Sequence, residues 1–552
     1  MPSLHSVSGE VVELGYDLAP KSARLEVDET RRPYAEVELT CPIPPLATLD
    51  DLAPREQRLR VVQSRDGADR EWDLVLHELS IDHAAAEITV VGRSDEAVLI
   101  DEALIGTTSD ASAHELAGSL RAIINARLAD RGLGALEFST ADASLLPDVT
   151  NLVRNPRCGT GTTDWAVSTG GGTTTAARVT TGGPLADAPT YYQVTATSAI
   201  TSPLVMSNGA SGSDVIPVTA GTRYTVSGYV RASVALTGAY IDVLLFNSSG
   251  VQVFDGPQNP EAVAANTWER LSASFVAPAG AVRAQVRVVI PQALASGTVA
   301  RASALMLYPG DFTTAYLDGG CSLTGYTFAW TGTAHASTST RTRTAGAVSV
   351  DALIRTPGQA DWDFLAPLVE AAGLRLWCDE QRAWRLEHDD YRVDGTVYIS
   401  SGFNATRQVE RRAVAGIAFK SVIVEYKWTD TAGAQHTAYD IAGTEAPVRL
   451  VTRPNTPYPG PGAAQAILTR VQGRGRVLEL DAIAQPTATP TQGLTAVLPG
   501  LPTQFGTVSS VIWRYPEDEM SVTSRDLLDI EAGAIALLTG TIDSLAGTID
   551  SL

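Results

Sequence analysis

The sequence predicts a mainly β, multidomain chain on three observations. Short runs that alternate apolar and polar residues, bounded by Gly, Pro, Asn or Asp, recur along most of its 552 residues. Strands with one wet face require that pattern. The composition shifts at Asn151 towards Thr, Ser, Gly, Ala and Val, and shifts back near Val348. Such a double shift marks a guest domain set into a body. Ile535, Leu538, Ile542, Leu545, Ile549 and Leu552 close the chain at 3-4-3-4-3 spacing, the seam of a coiled coil.

Residues 1–150 are read as the first part of the body. Tyr34 to Cys41, Glu71 to Leu76 and Glu87 to Val90 alternate with period two and read as antiparallel strands. Ser112 and Glu115 then have capping-box spacing. Leu116, Leu120, Ile123, Ile124 and Leu128 share one helical face before Gly132, which predicts a single helix over 112–131. Residues 151–320 are read as the guest. Strands at 191–196, 223–231, 239–246, 269–275, 282–290 and 299–308 have the regular spacing of a β-sandwich.

Residues 321–345, Ser/Thr-rich over 331–344, read as an exit linker. Residues 346–526 are read as the second part of the body. A short helix over 361–372 turns Phe364, Leu365, Leu368 and Val369 to one side and stops at Gly373. Leu374, Leu376, Trp384 and Leu386 flank a polar turn at 379–382, the pattern of a hairpin. Over 397–430 and 437–530 short strands and loops are expected, with 452–462 an exposed Pro/Gly loop. Residues 493–500, 505–513 and 519–523 are strands stopped by Gly or Pro, and 527–552 form the oligomerisation helix.

Acidic residues exceed basic ones by 21. A phosphate backbone needs clustered Lys and Arg, so electrostatic nucleic-acid binding is not expected. Lys21, Lys420 and Lys427 are the only lysines. Cys41, Cys158, Cys321 and Cys378 form no CxxC pair and no metal-ligand spacing with His. The N-terminus lacks a basic and an apolar region, so no signal peptide is read there. No apolar run approaches the ~18 residues of a membrane span. A soluble chain made in the cytoplasm is expected.

Catalytic motifs are not found. His77-Glu78 and His114-Glu115 begin like zinc-protease helices, but neither has a second His four residues on. There is no GxSxG, no P-loop and no GxGxxG. Carboxylates are many, and nothing singles out a glycosidase pair. The aromatics of the guest offer a different chemistry, since ring faces stack on sugar CH groups while Asp and Asn take hydroxyls. Core packing is the competing role for each ring. Tyr240, Asp242 and Asn247 lie on or just after one strand, and adjacent Tyr191 and Tyr192 must face opposite ways. Tyr191, Tyr240, Asp242 and Asn247 are therefore the candidate carbohydrate-binding residues.

Asn151-Leu152-Val153-Arg154-Asn155-Pro156 followed by Gly161-Thr162-Thr163-Asp164-Trp165 resembles the opening of jelly-roll carbohydrate-binding modules. Residues 220–230 and 267–271 match the middle of that pattern. With Tyr316-Leu317-Asp318-Gly319-Gly320 and Tyr326-Thr327-Phe328-Ala329-Trp330, the guest resembles modules in minor tail proteins of long-tailed phages of actinobacteria. Cys158 departs from the pattern, where an aromatic or other apolar residue is usual. The flanking body, through 361–386 and 493–522, resembles the baseplate or tail-tip hub proteins of tailed phages.

The resemblance implies hub β-barrel-type domains with small α+β elements, an inserted jelly roll and a short C-terminal coiled-coil helix. It implies a homotrimer that closes the tail tube, two barrels per subunit forming a pseudo-sixfold ring. Implied partners are the distal tail protein, the tape measure protein, other tail-tip proteins and host cell-wall glycan. The place implied is the virion tail tip, assembled in the host cytoplasm. Many such modules hold a structural Ca²⁺, although no EF-hand-like acidic run exists here. The expectation is a structural, non-enzymatic tail subunit with an adhesive module. Two alternatives stand: a cell-wall glycoside hydrolase with an appended binding module, and a tail protein whose sandwich binds nothing. Because a guest's ends should be close, Cys158 and Cys321 are also a candidate disulfide.

Overall fold

Strands from the two ends of the chain share one sheet. Ser22–Asp28 pairs antiparallel with Ala35–Pro42 on one side and with Thr503–Tyr515 on the other, placing Leu25 opposite Trp513 and Val27 opposite Val511. The computed structural model describes residues 5–530 apart from 202, 210–215, 413–418, 431–432, 473–475 and 501. Strands hold 47% of the chain and helices 11%, which fixes the class as mainly β. The chain divides into two compact units. One comprises residues 1–109, 120–143 and 355–552, the other 110–119 and 144–354.

In the first unit a 13-stranded sheet joins strands from both sequence halves. Its strands alternate as read: in Ala35–Pro42, residues Ala35, Val37, Leu39 and Cys41 are buried. They join Leu59, Leu74, Trp72, Leu480, Val511 and Trp513 in one core. Asp361–Ala371 is the expected helix, with Phe364, Leu365, Leu368 and Val369 buried. Leu374–Cys378 and Trp384–His388 form the expected hairpin, Leu376 opposite Leu386.

The second unit is built on two sheets. One runs in the order Thr174–Val179, Tyr191–Ala196, Val299–Pro309, Arg223–Ala232, Glu269–Val276. The other runs Gln252–Gly256, Leu236–Phe246, Arg283–Ile290, Leu204–Asn208, Trp165–Thr169, with two short strands off this path. Val226, Ile241, Val243, Val286, Val288 and Leu305 belong to the core they share. Val299–Pro309 is buried on both faces. Leu305 and Leu307 enter that core, while Met306 and Tyr308 join a second cluster with Val149, Phe312 and Leu317.

The family-like motifs of the guest have structural work to do. Asn151 is buried; its amide donates to the carbonyls of Leu305 and Leu317, and its Oδ1 accepts from the N–H groups of Val153 and Leu307. Every polar atom of that side chain is thereby satisfied. Asn155 donates to the Gly161 and Thr163 carbonyls, and the Trp165 indole donates to the Asn155 carbonyl at 2.8 Å. Asp318 is fully buried and pairs with Arg157 at 2.8 Å.

Four expectations are corrected. The exit linker contains two strands: Tyr326–Trp330 pairs with Ser339–Arg343, which pairs in turn with Val149–Asn151. Arg341 anchors it, buried and donating to the Pro147 carbonyl and the Thr314 hydroxyl. The single helix over 112–131 is two elements, a 3-10 turn at Ser112–His114 and a helix at Leu120–Asp130. The Ala117 carbonyl accepts from the Leu145 N–H, and Leu120 N–H donates to the Ala143 carbonyl. Backbone bonding is thus diverted from the helical i→i−4 ladder at the junction. Residues 452–454, read as part of an exposed loop, end the strand Val448–Pro454, and a helix, Ala463–Gln472, follows where strands and loops were expected. Cys158 and Cys321 are free buried thiols in different clusters, not a disulfide.

Residues 527–530, assigned to the terminal helix, complete the strand Glu519–Ile530. The seam positions Ile535, Leu538, Ile542, Leu545, Ile549 and Leu552 lie outside the described residues.

Candidate functional site

The strand Leu236–Phe246 has two chemically different faces. Ile241, Val243 and Leu245 turn into the core, so Tyr240, Asp242 and Leu244 occupy the opposite face. Register sets their neighbours: Tyr240 is opposite Val289, Asp242 opposite Arg287, and Leu244 opposite Gln285. Ser207 lies opposite Arg287 on the next strand.

Asp242 is fully buried. Arg287 donates to it from both Nε, at 2.8 Å, and Nη2, and Nη2 also reaches Asp255. Burial holds the Asp242 carboxyl above its usual range, while Arg287 pulls it back towards ionisation. Two carboxylates on one guanidinium form a fixed network that orients the neighbouring polar groups. Tyr240 stands beside it, half-buried, its phenol pushed up by burial and then by the Asp242 charge. A ring held by a rigid strand next to oriented carboxylates suits a polyhydroxylated ligand, whose CH faces stack and whose hydroxyls hydrogen-bond.

The other two sequence candidates sit elsewhere. Tyr191 belongs to the opposite sheet, buried edge-on against Trp268 with centroids 5.4 Å apart and the Arg301 guanidinium 5.8 Å from its ring. Asn247 accepts from the N–H groups of Ser249 and Val251, which closes the turn after the strand. The structure therefore brings Tyr240 and Asp242 together and separates Tyr191 and Asn247 from them. Sequence reading missed Arg287, Asp255 and Gln285. The available signal was the alternation Arg283-Ala284-Gln285-Val286-Arg287-Val288, which turns long polar side chains to the face opposite the core. Among the described residues no group of three His, Cys, Asp or Glu side chains could hold a metal ion. No helix there is long and apolar enough to cross a membrane.

No family model matches the chain, and no curated protein does. Solved structures do. A tail protein from Neisseria meningitidis is 8% identical, with 95% of this chain and 96% of that one covered and a TM-score of 0.39. The 43 kDa tail protein of prophage MuSo2 from Shewanella oneidensis is 9% identical, with 94% and 97% covered and a TM-score of 0.40. Both are tail proteins. A xylan-binding domain from Paenibacillus barcinonensis is 12% identical, covering 30% of this chain and 97% of that one, with a TM-score of 0.22. The chain spans 21% of the length of a bacteriophage CBA120 tailspike structure that it also matches.

Proposed function

We propose that this chain is a structural subunit of a phage tail tip, a non-enzymatic hub that closes the tail tube as a homotrimer. Its second unit presents the Tyr240 face to host cell-wall glycan. One observation carries the adhesive part: a half-buried ring on a rigid strand beside the Asp242–Arg287–Asp255 network. The tail-hub part rests on the resemblance of residues 361–386 and 493–522 to hub proteins. It is supported by the helix and hairpin found at the first of these, and by the terminal strands built into the body sheet. In this reading the contacts are with the distal tail protein, the tape measure protein and other tip proteins.

Two measurements test it. Light scattering of the purified chain should give three times the 58.1 kDa subunit mass; a monomer removes the hub reading. A pull-down on host cell walls should retain the protein without releasing reducing sugar. Released sugar would favour the hydrolase alternative, and no retention would leave a sandwich that binds nothing.

A further inference from the structure

An arginine-rich cleft lies in the first unit of a chain whose net charge is −21. A cavity of about 140 Å³ is lined by the side chains of Glu29, Arg32, Arg375, Asp389, Arg470 and Arg525, together with Thr30. Four guanidinium groups line it beside two carboxylates, while Glu96 reaches Arg32 and Asp526 reaches Arg525 from outside the lining. A second cavity of about 410 Å³ shares Thr30, Arg32, Arg375 and Arg470, and adds Arg453, Glu370 and the Trp362 ring to its walls. The shared walls make the two cavities one cleft.

The carboxylates present do not saturate these cations. Glu29 serves two of them, Arg375 at 3.1 Å and Arg525 at 2.8 Å. Asp389 is engaged by Arg470 Nε at 3.1 Å from both oxygens. Arg32 turns to Glu96, 3.5 Å away. Arg525 Nη1 reaches Asp526 at 3.4 Å, while its buried Nη2 makes no hydrogen bond among the described residues. A buried donor without an acceptor costs free energy of its own. Burial lowers the pKa of the Arg375 guanidinium; Glu29 opposes this, and the nearby Arg32 and Arg525 charges add to the lowering. That mutual repulsion would be relieved by an anion in the cavity.

We infer that this cleft binds a phosphate group through Arg32, Arg375, Arg470 and Arg525, either as free phosphate or as the phosphoryl end of a larger ligand. Acceptor number decides between anions. The oxygens of a phosphate can meet several guanidinium groups at once, which a single carboxylate does less well. Guanidinium forks also match oxyanions in a bidentate manner. The Trp362 ring and the apolar side chains of the wider cavity leave room for an organic moiety beyond the phosphate. This site is independent of the glycan-binding face.

The test uses the full chain at constant ionic strength. Inorganic phosphate should raise Tm in a dose-dependent way and broaden its own ³¹P resonance, while chloride at matched ionic strength does neither. Arg470→Gln and Arg525→Gln should each weaken phosphate binding by about tenfold or more, the loss of one charge-assisted hydrogen bond. Should either fail to fold, Arg32→Lys keeps the charge, removes the fork, and should still weaken binding. Glycerol 3-phosphate tests the source. Tighter binding than inorganic phosphate assigns a larger ligand, equal binding assigns the free ion, and both support the site. No Tm shift and no broadening in wild type would overturn the inference. So would undiminished binding in the variants, or an acidic hexapeptide that binds where phosphate does not.

Discussion

The indole rings of Trp72 and Trp513 meet edge to face with centroids 5.8 Å apart, both fully buried. The Arg70 guanidinium lies over both, 5.1 Å and 4.8 Å from the ring centres. It also donates to the Pro486 and Ala488 carbonyls and pairs with Glu380 at 2.6 Å. The cluster ties the early strands to the late ones, so the sheet of the first unit cannot close its core without the residues that follow the second unit in sequence.

Trp513→Ala should therefore destabilise the first unit by about 3–5 kcal/mol, the cost of emptying a large buried site. Calorimetry should show the transition of the first unit falling while that of the second stays in place. A shift of both transitions together would mean that the units unfold as one.

On the candidate binding face, two substitutions should separate ligand contact from architecture. Tyr240→Ala should weaken retention on host cell walls and leave Tm nearly unchanged, because the ring is only half-buried. Arg287→Ala should instead cost about 3–5 kcal/mol, since it strands the buried Asp242 carboxylate. Equal losses of stability in the two variants would move Tyr240 into the core.

What the sequence disclosed follows from the range of the interactions involved. The strand Ala35–Pro42 and the helix Asp361–Ala371 were legible because period and stop signals are local. The strand Ser339–Arg343 was not, because Thr and Ser read as linker by composition. Its burial is created by Val149–Asn151, which lies far away in sequence. The helix Ala463–Gln472 was hidden behind a Pro/Gly-rich loop and a short apolar stripe. Asp242 was singled out, but its partner Arg287 stands 45 residues away. Register alone makes that pair, and no local pattern announces it.

The extent of the second unit gives the next expectation. A fragment of residues 151–320 lacks Ser339–Arg343, and lacks most of the Val149–Asn151 strand that pairs with it. It therefore strips part of the cover from Met306 and Tyr308, whose cluster includes Val149. A fragment of residues 144–354 keeps all three strands of that sheet. The longer fragment should melt cooperatively, and at a higher temperature than the shorter one. Identical melting temperatures would show that the two sandwich sheets suffice alone.

Glu96 supplies a pH dependence whose sign can be worked out. It is fully buried, accepts hydrogen bonds from the Tyr34 N–H and the Ser94 hydroxyl, and sits 3.5 Å from Arg32. Burial raises its pKa from 4.5 to about 7, against the opposing pull of Arg32. The folded state thus holds a proton that the unfolded chain has released between about pH 4.5 and pH 7. Stability contributed by this group is full below the lower value and falls as pH rises through that window. Glu96→Gln imitates the protonated acid and keeps an acceptor for the Tyr34 N–H. Its stability relative to wild type should therefore climb by up to about 3 kcal/mol between roughly pH 4 and pH 8. Urea denaturation of both proteins across that range measures the difference. A difference that does not change with pH would mean that Glu96 has the same pKa folded and unfolded, with Arg32 and the hydrogen bonds offsetting its burial.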